Sequence, residues 1–387
     1  MKNWILSIIV LCVSNMIVAS DTSTLGFWTR YSSKVDTALV NQWQKIDSQK
    51  DIKPIQFIYD VDFLSYFDNR EYKRPYQIPQ TFLNFRLSPE LGVRILDKVG
   101  GQHELIAGAR YTQPLGGDWK NIQIVPTAYY CFQYKNFEVA MGAIPYEKRL
   151  SVLSDWLMYD SLGYMHPNIQ GTLMSYHSDH GFVEFMCDWR GSKSTYRQEM
   201  FRLIVNGEYR FKCLQLGGLA HLNHKASFAA PNHETVMDDI NASVHLGCDL
   251  TSYTPLDSLA IRAGYIFGWQ RDRRVDESFF AHSALIELYA NWWFVGIKNT
   301  LYVGKNLQPL RQRSSVLCLG DPFYQSPLYN RTDFFLYLYR SSFMNMYFSW
   351  NLHYDLNHLQ NQQQLIVRFN LEGLYRNKNY LRGIFDK

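Results

Sequence analysis

The sequence predicts an all-β protein: a transmembrane antiparallel up-and-down β-barrel of about 16 strands, preceded by a short N-terminal helix. Three observations predict this class. Apolar and polar residues alternate along many segments, the connections between segments alternate between short and long, and aromatic residues make up 16% of the chain. Aromatic side chains favour strands and are enriched where a protein meets the lipid–water interface.

The segment QEMFRLIVNGEYRF, residues 198–211, illustrates the alternation. Phe201 and Leu203 are apolar, whereas Arg202 and, further on, Arg210 occupy intervening positions. Successive side chains of a strand point to opposite faces, so one face is apolar and the other charged. Backbone groups inside a bilayer must be paired within the protein, so such strands must close into a barrel. The apolar row is then expected to face lipid and the charged row a wet lumen.

Sixteen segments carry this alternation. The clearer ones are 59–63, 84–94, 104–111, 123–133, 137–143, 183–190, 201–211, 239–250, 259–268, 344–353 and 365–372. The weaker ones are 169–178, 213–224, 282–292, 293–304 and 333–340. Most have about the ten residues that a tilted transmembrane strand needs.

The connections between the predicted strands alternate between short and long along the chain. Short connections are 97–102, 134–136, 178–181, 211–213, 252–256, 291–293 and 340–342. Long connections are 65–80, 112–120, 145–168, 190–197, 225–236, 270–280, 305–331 and 355–361. A membrane barrel has tight turns on the periplasmic side and longer loops outside, whereas a soluble sandwich has no reason to sort its loops.

The chain is expected to have three parts. Residues 1–20 have one lysine, an apolar stretch and small residues near a cleavage site, which is the pattern of a secretory signal peptide. Residues 21–52 form a periplasmic or plug segment, and residues 53–387 form the barrel. The short helix in the middle part is predicted by the spacing of Val35, Leu39, Trp43 and Ile46.

The charged rows supply the candidate lumen-lining residues. They are Arg86, Glu90, Arg94, Glu104, Arg110, Glu138, Glu184, Asp188, Arg190, Arg202, Glu208, Arg210, Asp239, Asp249, Arg262, Arg368 and Glu372. Burying so many charges in a dry core would cost several kcal/mol apiece, roughly. A water-filled or heavily cross-paired interior avoids that cost.

The loop 145–168 is the first candidate for a functional loop. Leu150, Leu153, Trp156 and Leu157 suggest a helical turn or two. Two interpretations stay open: an inward-folded constriction or plug, and an outer lid that packs on the other loops. Several loops are basic, including 270–276, and they either contact lipopolysaccharide head groups, attract anionic solutes or are ordinary solvated loops.

Catalytic and metal motifs are not found in the sequence. GxSxG and HExxH do not occur, and the five cysteines after Cys12 have neither zinc spacing nor a readable disulfide framework. His221 and His224 are three apart, so on a strand they face opposite sides and are not expected to share a metal. We therefore expect no enzymatic activity, no cofactor and no metal. The net charge of +4 is too small to indicate nucleic-acid binding.

From residue 54 onward the pattern resembles a Gram-negative outer-membrane β-barrel of the porin-like class. The resemblance implies an outer-membrane channel for passive or selective passage of small polar solutes, in contact with membrane lipid and lipopolysaccharide and commonly a homotrimer. The alternatives are a closed barrel for surface binding or polysaccharide export and, as a third reading, a lipid hydrolase. Such barrels commonly end in an aromatic residue, but this chain ends NYLRGIFDK, so either 365–374 or the last residues form the closing strand.

Overall fold

The computed structural model describes residues 55–73, 76–117, 119–159, 168–227, 236–340 and 344–370. Sixteen antiparallel strands form one closed barrel in which each strand pairs with its chain neighbours and β1 pairs with β16. The strands are β1 (Ile55–Glu71), β2 (Gln80–Leu96), β3 (Gln102–Pro114), β4 (Gln123–Tyr134), β5 (Phe137–Ile144), β6 (Ile169–Ser178), β7 (Gly181–Gly191), β8 (Met200–Phe211), β9 (Leu214–Lys225), β10 (Met237–Asp249), β11 (Ser258–Asp272), β12 (Glu277–Trp292), β13 (Val295–Gly304), β14 (Leu328–Arg340), β15 (Met344–Tyr354) and β16 (Leu359–Asn370).

The predicted class and strand number are therefore confirmed. The predicted helix around residues 35–46 lies outside the described residues, as do the predicted signal peptide and the last residues of the chain. Within the described ranges the helical elements are only short 3-10 turns. None of the helices there is long and apolar enough to cross a membrane.

Short and long connections alternate along the chain as predicted, but two of the predicted long connections need correction. The connections 270–280 and 355–361 were predicted to be long, but they shrink to 273–276 and 355–358. On the opposite end, residues 250–257 form the longest turn. The sequence placed strand ends where the apolar pattern faded. The backbone pairing continues past that point toward the rim, as in β11 and β12, which pair up to Asp272 and Glu277.

The wall of the barrel has two different faces. Along β8, Arg202 and Ile204 are buried, whereas Val205, Tyr209 and Phe211 are exposed. The exposed row carries no charge in this strand, and the buried row carries arginine, asparagine and glutamate. This arrangement is the one a bilayer requires, with apolar side chains toward lipid and polar ones inside. The protein is thus a closed barrel whose wall has the two faces of a membrane-spanning β-barrel.

The apolar core lies inside the barrel, because two loops from the long-loop end fold into it. Trp156 and Leu157 of the β5–β6 loop and Phe323 and Tyr324 of the β13–β14 loop are buried in one cluster with inward side chains of the strands. The two loops also bond to each other through the Tyr159 N–H to the Leu319 carbonyl at 3.1 Å, with a second bond of 2.8 Å from the Asp321 N–H to the Asp155 carbonyl.

Candidate functional site

The charged residues predicted for the lumen lie mainly in cross-paired clusters. Ion pairs join Arg86 to Asp62 and Glu147, Arg94 to Glu104, Arg110 to Glu147, Arg190 and Arg202 to Asp188, Arg210 to Glu208, Arg262 to Glu287, and Arg368 to Asp62. Hydrogen bonds reach Glu90 from Tyr129, Glu138 from Cys131, Asp239 from Gln270, and Asp249 from a backbone N–H. Glu372 lies outside the described residues. Such pairing offsets part of the desolvation cost of these charges.

The β5–β6 loop is anchored inside the barrel by Arg149. Its guanidinium donates to Glu184 from Nε at 2.9 Å and from a terminal nitrogen at 2.6 Å. The Leu150 N–H also donates to Glu184, and Ser151 accepts a 2.7 Å hydrogen bond from Asn206. Trp156 and Leu157 are buried and Leu153 is partly buried beside them. The described part of the loop is thus an inward-folded segment.

Two small cavities lie in the interior beside this loop. One of 70 Å³ is lined by Ser151, Asn206, His245 and Arg262, and one of 190 Å³ is lined by Asp155, Lys298, Arg331 and others. Ligand pockets usually have roughly 300–1,000 Å³. Both cavities are smaller than a typical ligand pocket.

A second set of residues, polar and aromatic, lies on the outside of the wall at the long-loop end. The register places Trp189, Phe201, His224, Asp238 and Arg271 side by side on the five consecutive strands β7 to β11. We call this set the rim row. Its histidine is the second-last residue of β9 and its aspartate the second residue of β10. The row therefore lies at the end of the barrel that faces the cell exterior in proteins of this class.

His224 and Asp238 form a hydrogen-bonded pair in the rim row. Nδ1 of His224 lies 2.6 Å from Oδ1 of Asp238, and Oδ2 of Asp238 accepts two bonds from Arg273, at 3.1 and 2.9 Å. The His224 side chain is 20% exposed. Among the described residues, no hydrogen bond involves its Nε2. A carboxylate on one imidazole nitrogen fixes the ring and its tautomer, leaving the other nitrogen as a proton acceptor.

Aromatic rings flank the pair on the outer wall. The Phe201 ring lies 5.0 Å from the His224 ring, and the Trp189 ring stacks on Phe201 at 5.6 Å. Arg271 lies on the other side, opposite Asp238 in the register, and it bonds to Asp276 at 3.2 Å. The rim row thus combines an oriented base, an apolar surface and a cation.

Sequence reasoning missed the rim row, because it considered His224 only as a metal-ligand partner of His221. A signal was present: polar residues at the outer ends of two consecutive strands occupy the row that otherwise faces lipid. Polar groups facing lipid are costly and are usually functional. The pairing itself depends on the β9–β10 register, which the sequence does not show.

The chain matches one protein family. Residues 49–378 match the model of a family described as lipid A 3'-O-deacylase-type. No match was found among curated proteins. The expectation that this protein is not an enzyme is therefore wrong, because the matched family is named for an enzymatic activity.

Similar solved structures are outer-membrane barrels. A loop-deletion mutant of OmpT, an outer membrane protein of Vibrio cholerae, is 10% identical with a TM-score of 0.49, covering 82% of this chain and 100% of that one. A triple mutant of the Rhodopseudomonas blastica porin is 9% identical with a TM-score of 0.47, covering 81% of this chain and 100% of that one. The expected resemblance to the porin-like class is confirmed at the level of the fold by the closed barrel of 16 antiparallel strands.

Proposed function

The chain belongs to the lipid A 3'-O-deacylase-type family, and we propose that it is an outer-membrane hydrolase that removes an acyl chain from a lipid A-type glycolipid of the outer leaflet. The substrate class comes from the family description. The reaction is hydrolysis of a carboxylic ester, which gives a free fatty acid and a glycolipid with one acyl chain fewer.

The observation that carries the proposal is the position of the His224–Asp238 pair on the outer wall. The ester bonds of an acylated glycolipid lie at the boundary between its head group and its chains. An enzyme that remains embedded in the leaflet can reach them only from the outside of its wall near the rim. The interior offers no comparable access, because Trp156, Leu157 and Phe323 fill it below the outer loops.

The proposed mechanism is general-base hydrolysis. Nε2 of His224 takes a proton from a water molecule as the water oxygen attacks the ester carbonyl carbon. Asp238 accepts from Nδ1 and stabilises the imidazolium that forms, while Arg273 holds the carboxylate in place with its two hydrogen bonds. The imidazolium then returns the proton to the leaving sugar oxygen.

Two neighbours have supporting roles in this proposal. Arg271 is the nearest cation in the row and would stabilise negative charge on the carbonyl oxygen in the transition state. The Phe201 and Trp189 rings would pack against the acyl chain, with Trp189 exposed toward lipid. The apolar chain would then stay in the membrane while its ester reaches His224.

The test is deacylation of purified lipid A in detergent micelles by the refolded protein, followed by mass spectrometry. We expect loss of one acyl chain with the wild type and a loss at least about 100-fold slower with His224→Gln. His103→Gln is the matched control, because His103 also faces lipid and pairs with an aspartate, Asp97, at 3.3 Å. It lies at the short-turn end, away from the ester bonds. Equal activity in the wild type and His224→Gln would refute the proposed site.

A channel function has weaker support. The paired charges on the inner wall suit a polar lumen, but the inserted loops leave small cavities there. Planar-bilayer recordings distinguish the two functions, since a deacylase with a filled barrel needs no ion current and a porin does.

A further inference from the structure

Two of the cysteines lie next to each other at the short-turn end of the barrel. Cys213 is in the two-residue turn between β8 and β9, and Cys248 is the second-last residue of β10. The Asp249 N–H donates to the Cys213 carbonyl at 2.7 Å, and Cys248 is the register partner of Leu214. The two thiols are close enough to interact electrostatically with each other.

The other described cysteines are separated from this pair and from each other. Cys131 contacts Glu138, Cys318 contacts Gln270, and Cys187 is the register partner of Thr172 on β6 and of Leu203 on β8. Cys131 and Cys318 are buried, whereas Cys213 and Cys248 are partly exposed. Only the 213–248 pair, among the residues described, therefore combines a neighbouring thiol with access to solvent.

The location places this pair in an oxidising compartment. The short turns of an outer-membrane barrel face the periplasm, where disulfides form and persist. Neighbouring thiols there meet protein oxidants that accept their electrons. The β9–β10 ladder holds the backbones of the two cysteines on neighbouring strands, because Cys248 pairs with Leu214 and Cys213 directly precedes Leu214.

We propose that Cys213 and Cys248 form a disulfide bond in the exported protein. The thiolate of one cysteine attacks the disulfide of a periplasmic thiol–disulfide oxidoreductase, and the second thiolate then displaces that enzyme. One S–S bond forms in the barrel and the S–S bond of the oxidoreductase breaks, so that enzyme takes up the two electrons and the two thiol protons and becomes a dithiol. The bond links the turn before β9 to the end of β10 and encloses the β9–β10 hairpin.

This inference does not depend on the proposed deacylase activity, although the enclosed hairpin carries His224 and Asp238. The bond closes a loop in the unfolded chain, so it disfavours unfolding of this sector of the barrel. It is also far from the rim row along the strands, because Cys248 and Asp238 are at opposite ends of β10. Deacylation is therefore expected to be unchanged by its loss.

The test uses the full-length protein expressed with export to the outer membrane. Cells are lysed in denaturant containing N-ethylmaleimide, so thiols cannot oxidise after lysis, and the protein is digested with and without reduction. We expect a linked peptide pair containing Cys213 and Cys248 that disappears on reduction. N-ethylmaleimide is expected on Cys131, Cys187 and Cys318 in both samples.

Matched variants separate the proposed bond from other products. Cys213→Ser and Cys248→Ser are each expected to leave the remaining partner alkylated, whereas Cys187→Ser keeps the linked peptides. Full alkylation of both Cys213 and Cys248 in the unreduced wild type would overturn the proposal. A mixed disulfide of either cysteine with another molecule would overturn it as well.

Discussion

Strands β9 and β10 carry two histidine–aspartate pairs that face opposite sides of the wall. His224 and Asp238 are on the outside, 2.6 Å apart, whereas His221 and Asp239 are on the inside, with Nδ1 and Oδ2 4.0 Å apart. The inner carboxylate already accepts from Asn241 at 2.8 Å and Gln270 at 2.9 Å. The inner histidine is 3% exposed, against 20% for the outer one.

The difference shows that residue type does not decide which pair can act on a membrane lipid. His221 points into the barrel and His224 points outward, because side chains alternate between the two faces of a strand and the two residues are three positions apart. The β13–β14 loop then seals the inner pair: Asn223 bonds to the Leu317 carbonyl at 2.8 Å, and Gln270 donates to Cys318 at 3.2 Å. Access to lipid belongs to the outer pair alone.

The largest expected effect is on the outer histidine. His224→Gln is expected to lower the deacylation rate about 100- to 10,000-fold, the usual contribution of a general base. His221→Gln is the comparison variant and is expected to retain the rate. The measurement is the rate of fatty-acid release from lipid A. A loss of activity in His221→Gln with normal folding would place the chemistry inside the barrel instead.

The aspartates give the next test. Asp238→Asn is expected to lower the rate about 10- to 100-fold while leaving substrate binding nearly unchanged, because the amide no longer stabilises the imidazolium. Asp239→Asn, one residue further along β10, is expected to keep the wild-type rate. Steady-state kinetics on both variants check this, and equal losses would remove the distinction between the two faces.

Anchoring of the inner loop gives a stability effect. Arg149→Met leaves Glu184 buried without its cation, which is expected to cost about 3–5 kcal/mol in unfolding free energy. Arg149→Met combined with Glu184→Gln removes both charges and should cost less. Denaturant unfolding in detergent measures the difference. Planar-bilayer recordings of Arg149→Met add a second readout, since a released loop is expected to raise ion current.

The smallest expected effect concerns the β13–β14 loop, which covers the inner pair of His221 and Asp239. Burial raises the pKa of the Cys318 thiol, and the side chain is 2% exposed. A protonated, buried thiol reacts slowly, so Cys318 in the folded protein is expected to resist maleimide at pH 8. Mass spectrometry of the labelled protein measures this. Labelling of Cys318 as fast as in the unfolded chain would mean that the β13–β14 loop leaves the barrel readily.

Much of the barrel could be predicted from the sequence, because a strand between lipid and a polar interior must alternate. The alternation of Phe201 with Arg202 correctly predicted the two faces of β8. The alternation of short and long connections distinguished the short-turn end of the barrel from the long-loop end. Strand ends were less predictable, as β1 and β14 show. Hydrogen bonding between strands continues after the apolar pattern has faded, so these strands begin or end beyond the predicted segments.

The site residues depended on contacts that are distant in sequence. Asp62 pairs with Arg368 across the closure of the barrel, and Arg149 reaches Glu184 only because its loop folds inward. The sequence by itself determined the two-sided strands and their number, because the surroundings of each face dictate which side chains it can carry. Only the tertiary structure decided that two loops fold into the interior and that His224 meets Asp238, because loop placement and strand register arise from barrel closure and not from any local pattern.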